Sequence, residues 1–463
     1  MACVECLSDT DCLTAGTICS AHACHAVSMC RSSRECPAQV CDPTLGYCVD
    51  CVTAVDCPTG QLCVSSSCTA SSADGGGPRD GGGAPDTGGD VHDGGIDAPF
   101  VRDAGPPART DEIDLLLMID NSNSMTEEQG SVVGEVPRIV QILTSGHDPT
   151  GVIPDFTPAR SLHIGIVDSD MGLGTTTGIA TCNPGLGDDG LMQIRARHPG
   201  TGCMADYSSI YAGNIFQFVF GTGRTPVQFA TDVACVATLG TNGCGFEFEL
   251  ESPLKAISLT PTATGESPVA WTQAGYRPPV FYGSTFGHGD DPATNGGFLR
   301  PDSVLAVVTI NDEDDCSTPN PGIFSVDDPT YNTVNLNLRC HTFADQLFPV
   351  QRYADGFLGL RAHPSRLVYA AITGVPPAVA GMDPAVILAD PNMTERVNPA
   401  MTNQLLPACV SPGGRGVAYP AIRMTQLAQL LNASGATTTV QSICNTDFGP
   451  AFDVIIDALA RSL

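Results

Sequence analysis

Asp120, Ser122 and Ser124 place one carboxylate and two hydroxyls on alternate residues of a short segment. Hard divalent cations such as Mg²⁺ take oxygen ligands in a near-octahedral shell and give up their waters reluctantly. A carboxylate and two neutral hydroxyls supply part of that shell and leave room for water or an outside ligand. By itself D-x-S-x-S is ordinary turn chemistry, because Asp, Ser and Asn all favour turns. A second acidic stretch, Asn311-Asp312-Glu313-Asp314-Asp315, offers the further carboxylates that one ion would need.

Two apolar runs must position these groups. Ile113 to Ile119 is too short for a helix and lacks polar alternation, so it reads as a strand buried on both faces. Ser303 to Ile310 is a second such run, and it ends directly in the acidic stretch. A helical pattern from Ser124 to about Leu143 follows the first run, with Glu127 and Glu128 in its first turn, where acids complement the helix dipole. The donors therefore fall at the C-terminal ends of parallel strands, where open α/β sheets place ligands. Two such strands, distant in sequence, can converge on one ion.

These motifs resemble the von Willebrand factor A (vWA) family, through Asp120, Ser122, Ser124 and Asp312. The phrase Gly297-Phe298-Leu299-Arg300-Pro301-Asp302, running into Asn311 to Ser317, is similar to a secreted bacterial branch of the kind found in myxobacteria. The resemblance covers roughly residue 110 to the end. It implies a metal-ion-dependent adhesion site (MIDAS), with the serines on the metal and the aspartates bound directly or through water. It also implies a threonine from a middle loop. The Gly-Gly-Thr of the family is replaced here by Gly240-Thr241-Asn242-Gly243-Cys244-Gly245-Phe246-Glu247, so Thr241 is the candidate fifth ligand and Glu247 a substitute oxygen donor.

Composition narrows the setting. The 463 residues suffice for two or three domains, and the net charge of −29 disfavours nucleic acid and anionic membranes while suiting divalent cations. Lys255 is the only lysine among 21 Lys and Arg. The 21 cysteines point to an oxidising compartment, extracellular or at the cell surface. No run of about 18 apolar residues is present, so no transmembrane segment is expected.

Residues 1–70 are a cysteine-rich array of three four-cysteine repeats opening at Cys6, Cys30 and Cys51, with Asp11, Glu35 and Asp56 in one shared slot. Disulfides rather than zinc are expected to hold them, because each C-x2-C straddles a repeat boundary. Cys3 remains after the repeats and the later cysteines are paired off. It matches a closing cysteine such as Cys48, which suggests that the native protein begins further upstream, with an export signal or a lipid anchor. Residues 71–109, rich in Gly, Asp and Pro, read as a disordered linker. Residues 110–463 read as a vWA-like α/β domain: a doubly wound, mostly parallel sheet with helices on both faces and long loop insertions.

Within that domain, helices are expected over 229–237, 246–257, 343–361 and 421–432, and near the C-terminus after Asp447. Strands are expected at 162–167, 366–373 and 438–443, with a long insertion over 172–223. Asp168 and Asp170 are near enough in sequence to the second strand's end to join the metal region but read first as loop caps, and His288 reads as a solvated loop histidine rather than a ligand. The disulfides are expected between sequence neighbours: Cys182–Cys203, Cys235–Cys244, Cys316–Cys340 and Cys409–Cys444.

The function expected is a non-enzymatic, extracellular or cell-surface adhesion module. Its Mg²⁺, or Ca²⁺ or Mn²⁺, would capture a carboxylate from a protein or acidic glycan. One alternative is a metal-assisted hydrolase, against which stands the absence of H-E-x-x-H and G-x-S-x-G motifs. Another is a structural envelope protein with a vestigial metal site.

Overall fold

The computed structural model describes residues 109–463, except 127, 180, 183–184, 263–264, 266, 268–271, 274 and 415, together with six short strands before residue 71. By contacts the chain divides into two units, Met1–Gly105 and Pro106–Leu463. The expected linker, 71–109, lies almost wholly outside the described residues.

In the first unit the six strands form three antiparallel hairpins, Thr17–Ser20 with Ala23–Ala26, Val40–Asp42 with Tyr47–Val49, and Gln61–Val64 with Ser67–Ala70. Their registers set Cys19 opposite Cys24, Cys41 opposite Cys48 and Cys63 opposite Cys68. These are the third and fourth cysteines of each repeat, so the sequence period is also a structural one.

The second unit is built on a six-stranded sheet. Its strands are β1 (Glu112–Ile119), β2 (Ser161–Val167), β3 (Phe216–Val219), β4 (Val304–Ile310), β5 (Leu367–Thr373) and β6 (Thr437–Ser442). The spatial order is β6-β5-β4-β1-β2-β3, and all pairs are parallel except β2 with β3. From β1 the chain winds outward to β3, then returns to β4 on the other side of β1. The gap beyond the ends of β1 and β4 is therefore the topological switch point, where such sheets bind ligands.

Burial on both faces explains the apolar runs. Ile113, Leu115, Leu117 and Ile119 of β1 join one core with helices α1 (Gln129–Ser145), α2 (Pro226–Ala237) and a C-terminal helix, Gly449–Ser462. Leu116 and Met118 face the opposite core, with α3 (Glu251–Ile257), α4 (Val350–Gly359) and α5 (Ile422–Ala433). The C-terminal helix is α6. Thr225 and Gln228 form a reciprocal capping box at the start of α2. Asp447 accepts from the Gly449 N–H (2.9 Å) at the start of α6.

Several expected elements differ. β3 lies inside the stretch read as insertion. Phe216 and Phe218 face inward while Gln217 and Val219 face out, the two-residue period of a half-buried edge strand. The helix expected over 246–257 covers only Glu251–Ile257, because 246–250 spends its backbone on tertiary partners. Phe248 N donates to Ser169 O (3.0 Å), Leu250 N to Asp315 Oδ1 (2.9 Å), and Glu247 O accepts from Cys316 N (2.9 Å). The helix expected over 343–361 is regular only from Val350, after Pro349.

Cys316–Cys340 and Cys409–Cys444 are bonded as expected. Cys182–Cys203 and Cys235–Cys244 are not: the bonds are Cys182–Cys244 and Cys203–Cys235, with Cα separations of 4.3 and 5.6 Å. Core membership explains the exchange. Cys203 and Cys235 belong to the core of α1 and α2, whereas Cys182 and Cys244 belong to a third cluster of loop residues around Phe246, Phe248 and Phe324. Peptide mapping of the unreduced protein should recover Cys182 linked to Cys244 and Cys203 to Cys235. A Cys182–Cys203 peptide would contradict this packing.

At the opposite end of β1, fully buried Asp114 accepts from Arg300 N (2.8 Å), Arg300 Nε (2.7 Å) and Arg361 (3.2 Å), and from the Ser303 hydroxyl. Arg361 is itself only 2% exposed, and its burial lowers its pKa to about 10. Asp114→Ala would strand two guanidinium groups. It should destabilise the domain by about 3–5 kcal/mol in urea unfolding. A loss well under 1 kcal/mol would show that the network is not needed.

Candidate metal centre

Asp120 is the first residue beyond β1, and its N–H donates to Ile310 O at the end of β4 (2.9 Å). The carboxylate is wholly buried. Its Oδ1 accepts from Ser122 N (2.8 Å) and Ser169 Oγ (3.0 Å), and its Oδ2 from Ser122 Oγ (2.8 Å). Ser124 Oγ lies 2.7 Å from Ser122 Oγ and donates to Asp312 Oδ1 (2.9 Å), 188 residues away in sequence. Asp120, Ser122, Ser124 and Asp312 thus form one continuous chain of oxygens across the switch point.

A proton count shows what this chain lacks. Each serine hydroxyl carries one hydrogen. That of Ser122 goes to Asp120 and that of Ser124 goes to Asp312. With both acids ionised, nothing remains to bridge the 2.7 Å contact between the two hydroxyl oxygens. One extra positive charge, a proton on an acid or a cation among the oxygens, resolves the conflict.

The surroundings add negative charge. Burial first, then the neighbouring Glu313 and Asp120, raises the Asp312 carboxyl well above the usual range. Burial also raises Asp120, against the hydrogen bonds from Ser122 and Ser169. Glu247 is raised by burial and by Glu313, Asp120 and Asp312, against the opposing influence of the nearby Ser122 hydroxyl. Glu249, fully buried, has no hydrogen-bond partner for either carboxyl oxygen. Glu313 is pushed up to about 7, mainly by burial. Among the described residues no Arg, Lys or His forms an ion pair with any of these five acids. The nearby Arg423 is engaged with Asp315 (2.9 Å).

Of the two alternatives for the missing ligand, Glu247 stands beside Ser122. Thr241 is half-buried in the loop next to the site and makes no hydrogen bond to Asp120, Ser122, Ser124 or Asp312 among the described residues. That loop is nevertheless fixed to the site. Gln129, at the start of α1, donates to Gly240 O (2.9 Å) and Asp120 O (3.2 Å) and accepts from Gly240 N (2.7 Å). Gly243 N donates to Asn121 O (2.7 Å). A Cβ at Gly243 would fall 2.0 Å from Asn121 Oδ1, so this approach requires glycine.

Asp168 and Asp170 act locally. Asp168 pairs with Arg197 (2.7 Å), and Asp170 accepts from Gly172 N (2.8 Å). Ser169, between them, is the residue that reaches Asp120. Its position just past β2 was the available signal. Gln129 carried no signal, because its partner is a backbone carbonyl 111 residues away. Among the described residues no three His, Cys, Asp or Glu side chains converge as a chelate. An ion here would depend on the serine hydroxyls.

No family model, curated protein or solved structure matches the chain. Fold and geometry define a class all the same: a doubly wound, mostly parallel α/β domain with a buried, oxygen-rich polar site at its switch point.

The raised acids have a consequence for stability. A carboxyl whose pKa is raised by folding stabilises the fold below its unfolded value, and that contribution is lost as pH rises through the folded value. For Glu313 the window runs from 4.5 to about 7. Without divalent cations, the urea midpoint should fall across this window, and fall less in Glu313→Gln. Equal slopes in the two proteins would contradict the burial of this acid.

Proposed function

We infer that the second unit is a vWA-type binding module whose Asp120, Ser122, Ser124 and Asp312 hold a divalent cation, most naturally Mg²⁺. The observation that carries this reading is the Ser124 to Asp312 hydrogen bond, which joins two motifs 188 residues apart into one oxygen cluster. The donor set fits the ion: two neutral hydroxyls and two carboxylates suit a small hard cation that keeps waters. Bound there, the ion would supply an electron-poor centre for an incoming carboxylate.

The chain's own residues do the rest. Asp120 is oriented by Ser122 and Ser169, so its oxygens face the serines. Glu247 offers a further oxygen beside Ser122. The acids raised by burial would release protons as the ion enters, so affinity should rise with pH. The ligand is a partner protein or an acidic glycan presenting a carboxylate. The four disulfides support a setting outside the cytosol. No helix among the described residues is long and apolar enough to cross a membrane.

Calorimetry with Mg²⁺ tests the reading. Asp120→Ala and Ser124→Ala should each weaken binding by about tenfold or more, equivalent to about 1.4 kcal/mol or above. Capture of partners from a cell-surface fraction should be lost with EDTA and in Asp120→Ala. Identical Mg²⁺ isotherms for wild type and Asp120→Ala would sink the proposal.

A further inference from the structure

Lys255 is the chain's single lysine, and it is completely buried. Its Nζ contacts Asp189 Oδ1 and lies 2.5 Å from Thr285 Oγ1. Thr285 donates its own hydrogen to Tyr282 O (2.9 Å), so its lone pairs face the amine. His288 approaches the same aspartate from the other side, with Nε2 3.1 Å from Asp189 Oδ2 and 3.0 Å from Asp189 O. Facing two oxygens, Nε2 is the protonated nitrogen. His288 is therefore not a solvated loop residue: it is partly buried, and its N–H donates to Lys255 O (3.0 Å).

The backbone is arranged to make this meeting. Asp189 is one of two described non-glycine residues with positive φ, at 55°. Next to it, Gly190 presses on α3 so closely that a Cβ there would fall 2.8 Å from Ser252 O. Asn295 clamps both sides, donating to Gly190 O and Ala256 O (2.9 Å each).

A buried ion pair would be the ordinary reading. Against it stands the choice of side chain. Where other acids of this domain form buried ion pairs, as at Asp114, Glu251 and Asp315, the partner is arginine. Arginine has the fork geometry suited to a buried carboxylate. Lysine differs in one chemical respect: a desolvated amine is a nucleophile, which a guanidinium is not. The one lysine stands against an aspartate whose other carboxyl oxygen is met by an imidazole N–H, in a site closed to solvent on the amine side.

We propose that Lys255 and Asp189 condense into an intramolecular isopeptide bond. Nζ attacks Asp189 Cγ, the Nζ–Cγ bond forms, and the Cγ–Oδ2 bond breaks. The ammonium loses two protons, Oδ2 takes both, and one water leaves, so atoms and charge balance without oxidant or co-reactant. The Nε2–H of His288, 3.1 Å from Oδ2, stabilises the charge on the departing oxygen and keeps its own proton. Fixed contact replaces the search that makes such a condensation slow in solution. The product ties the insertion before β3 covalently to α3.

The single lysine makes the test direct. The full-length protein is denatured, reduced, alkylated and treated with an endoproteinase that cuts only after free lysine. Wild type should remain uncut, with an intact mass one water below that of the fully alkylated sequence. Asp189→Ala should be cut once, after Lys255. His288→Ala, which keeps both reacting groups, should be cut as well. Because digestion follows denaturation, misfolding of a variant does not block the readout. Wild type cut at Lys255, with no loss of water, overturns the bond. An uncut His288→Ala overturns the role given to the histidine.

Discussion

Burying the Asp120 carboxylate at the end of the central strand, without a basic partner, is the constraint around which the site is built. An ionised acid in such a place must be satisfied by hydrogen bonds or by a cation. The chain provides the first through the Ser122 N–H and hydroxyl and the Ser169 hydroxyl. It leaves the second open. Every neighbouring choice deepens the demand: Asp312, Glu247, Glu249 and Glu313 are all raised by burial and by the Asp120 charge. The basic groups of the unit are placed elsewhere, with Arg300 and Arg361 on Asp114 at the other end of the sheet.

That polarity follows from the fold. Parallel strands bring all their C-terminal ends to one edge, so the donors of β1, β2 and β4 meet there. The segment 246–250 completes the arrangement from above. Its phenylalanines enter the third cluster with Phe324 and Tyr282, and the alternate residues are Glu247 and Glu249. The same cluster contains the bonded pairs Cys182–Cys244 and Cys316–Cys340. A small aromatic core stapled by two disulfides thus holds the loops over the site. The two bonds span 62 and 24 residues, so they restrict the unfolded chain and lower the entropy cost of ordering these loops.

The exchange of disulfide partners and the presence of β3 within the long insertion share one cause. Loop-entropy arguments favour bonds between sequence neighbours, and they ignore which core a loop enters. Cys203 and Cys235 are joined because the loop that carries Cys203 packs into the same core as α2. Phe-Gln-Phe-Val was legible as a strand by alternation, but four residues inside a Gly-rich stretch gave that alternation little weight.

The sequence by itself determined the buried strands, because runs such as Ile113–Ile119 and Val304–Ile310 can be satisfied only between two covered faces. It also determined the D-x-S-x-S loop, the acid after β4 and the cysteine period of the first unit, each a matter of local spacing. Tertiary structure alone decided the rest. Glu247 rather than Thr241 stands beside Ser122, Ser169 reaches Asp120, Gln129 holds the neighbouring loop, and His288 and Asp189 surround the only lysine. These relations join residues tens to hundreds of positions apart through a few tertiary contacts each. Local spacing does not encode such contacts, because they depend on which loops the packed cores bring together.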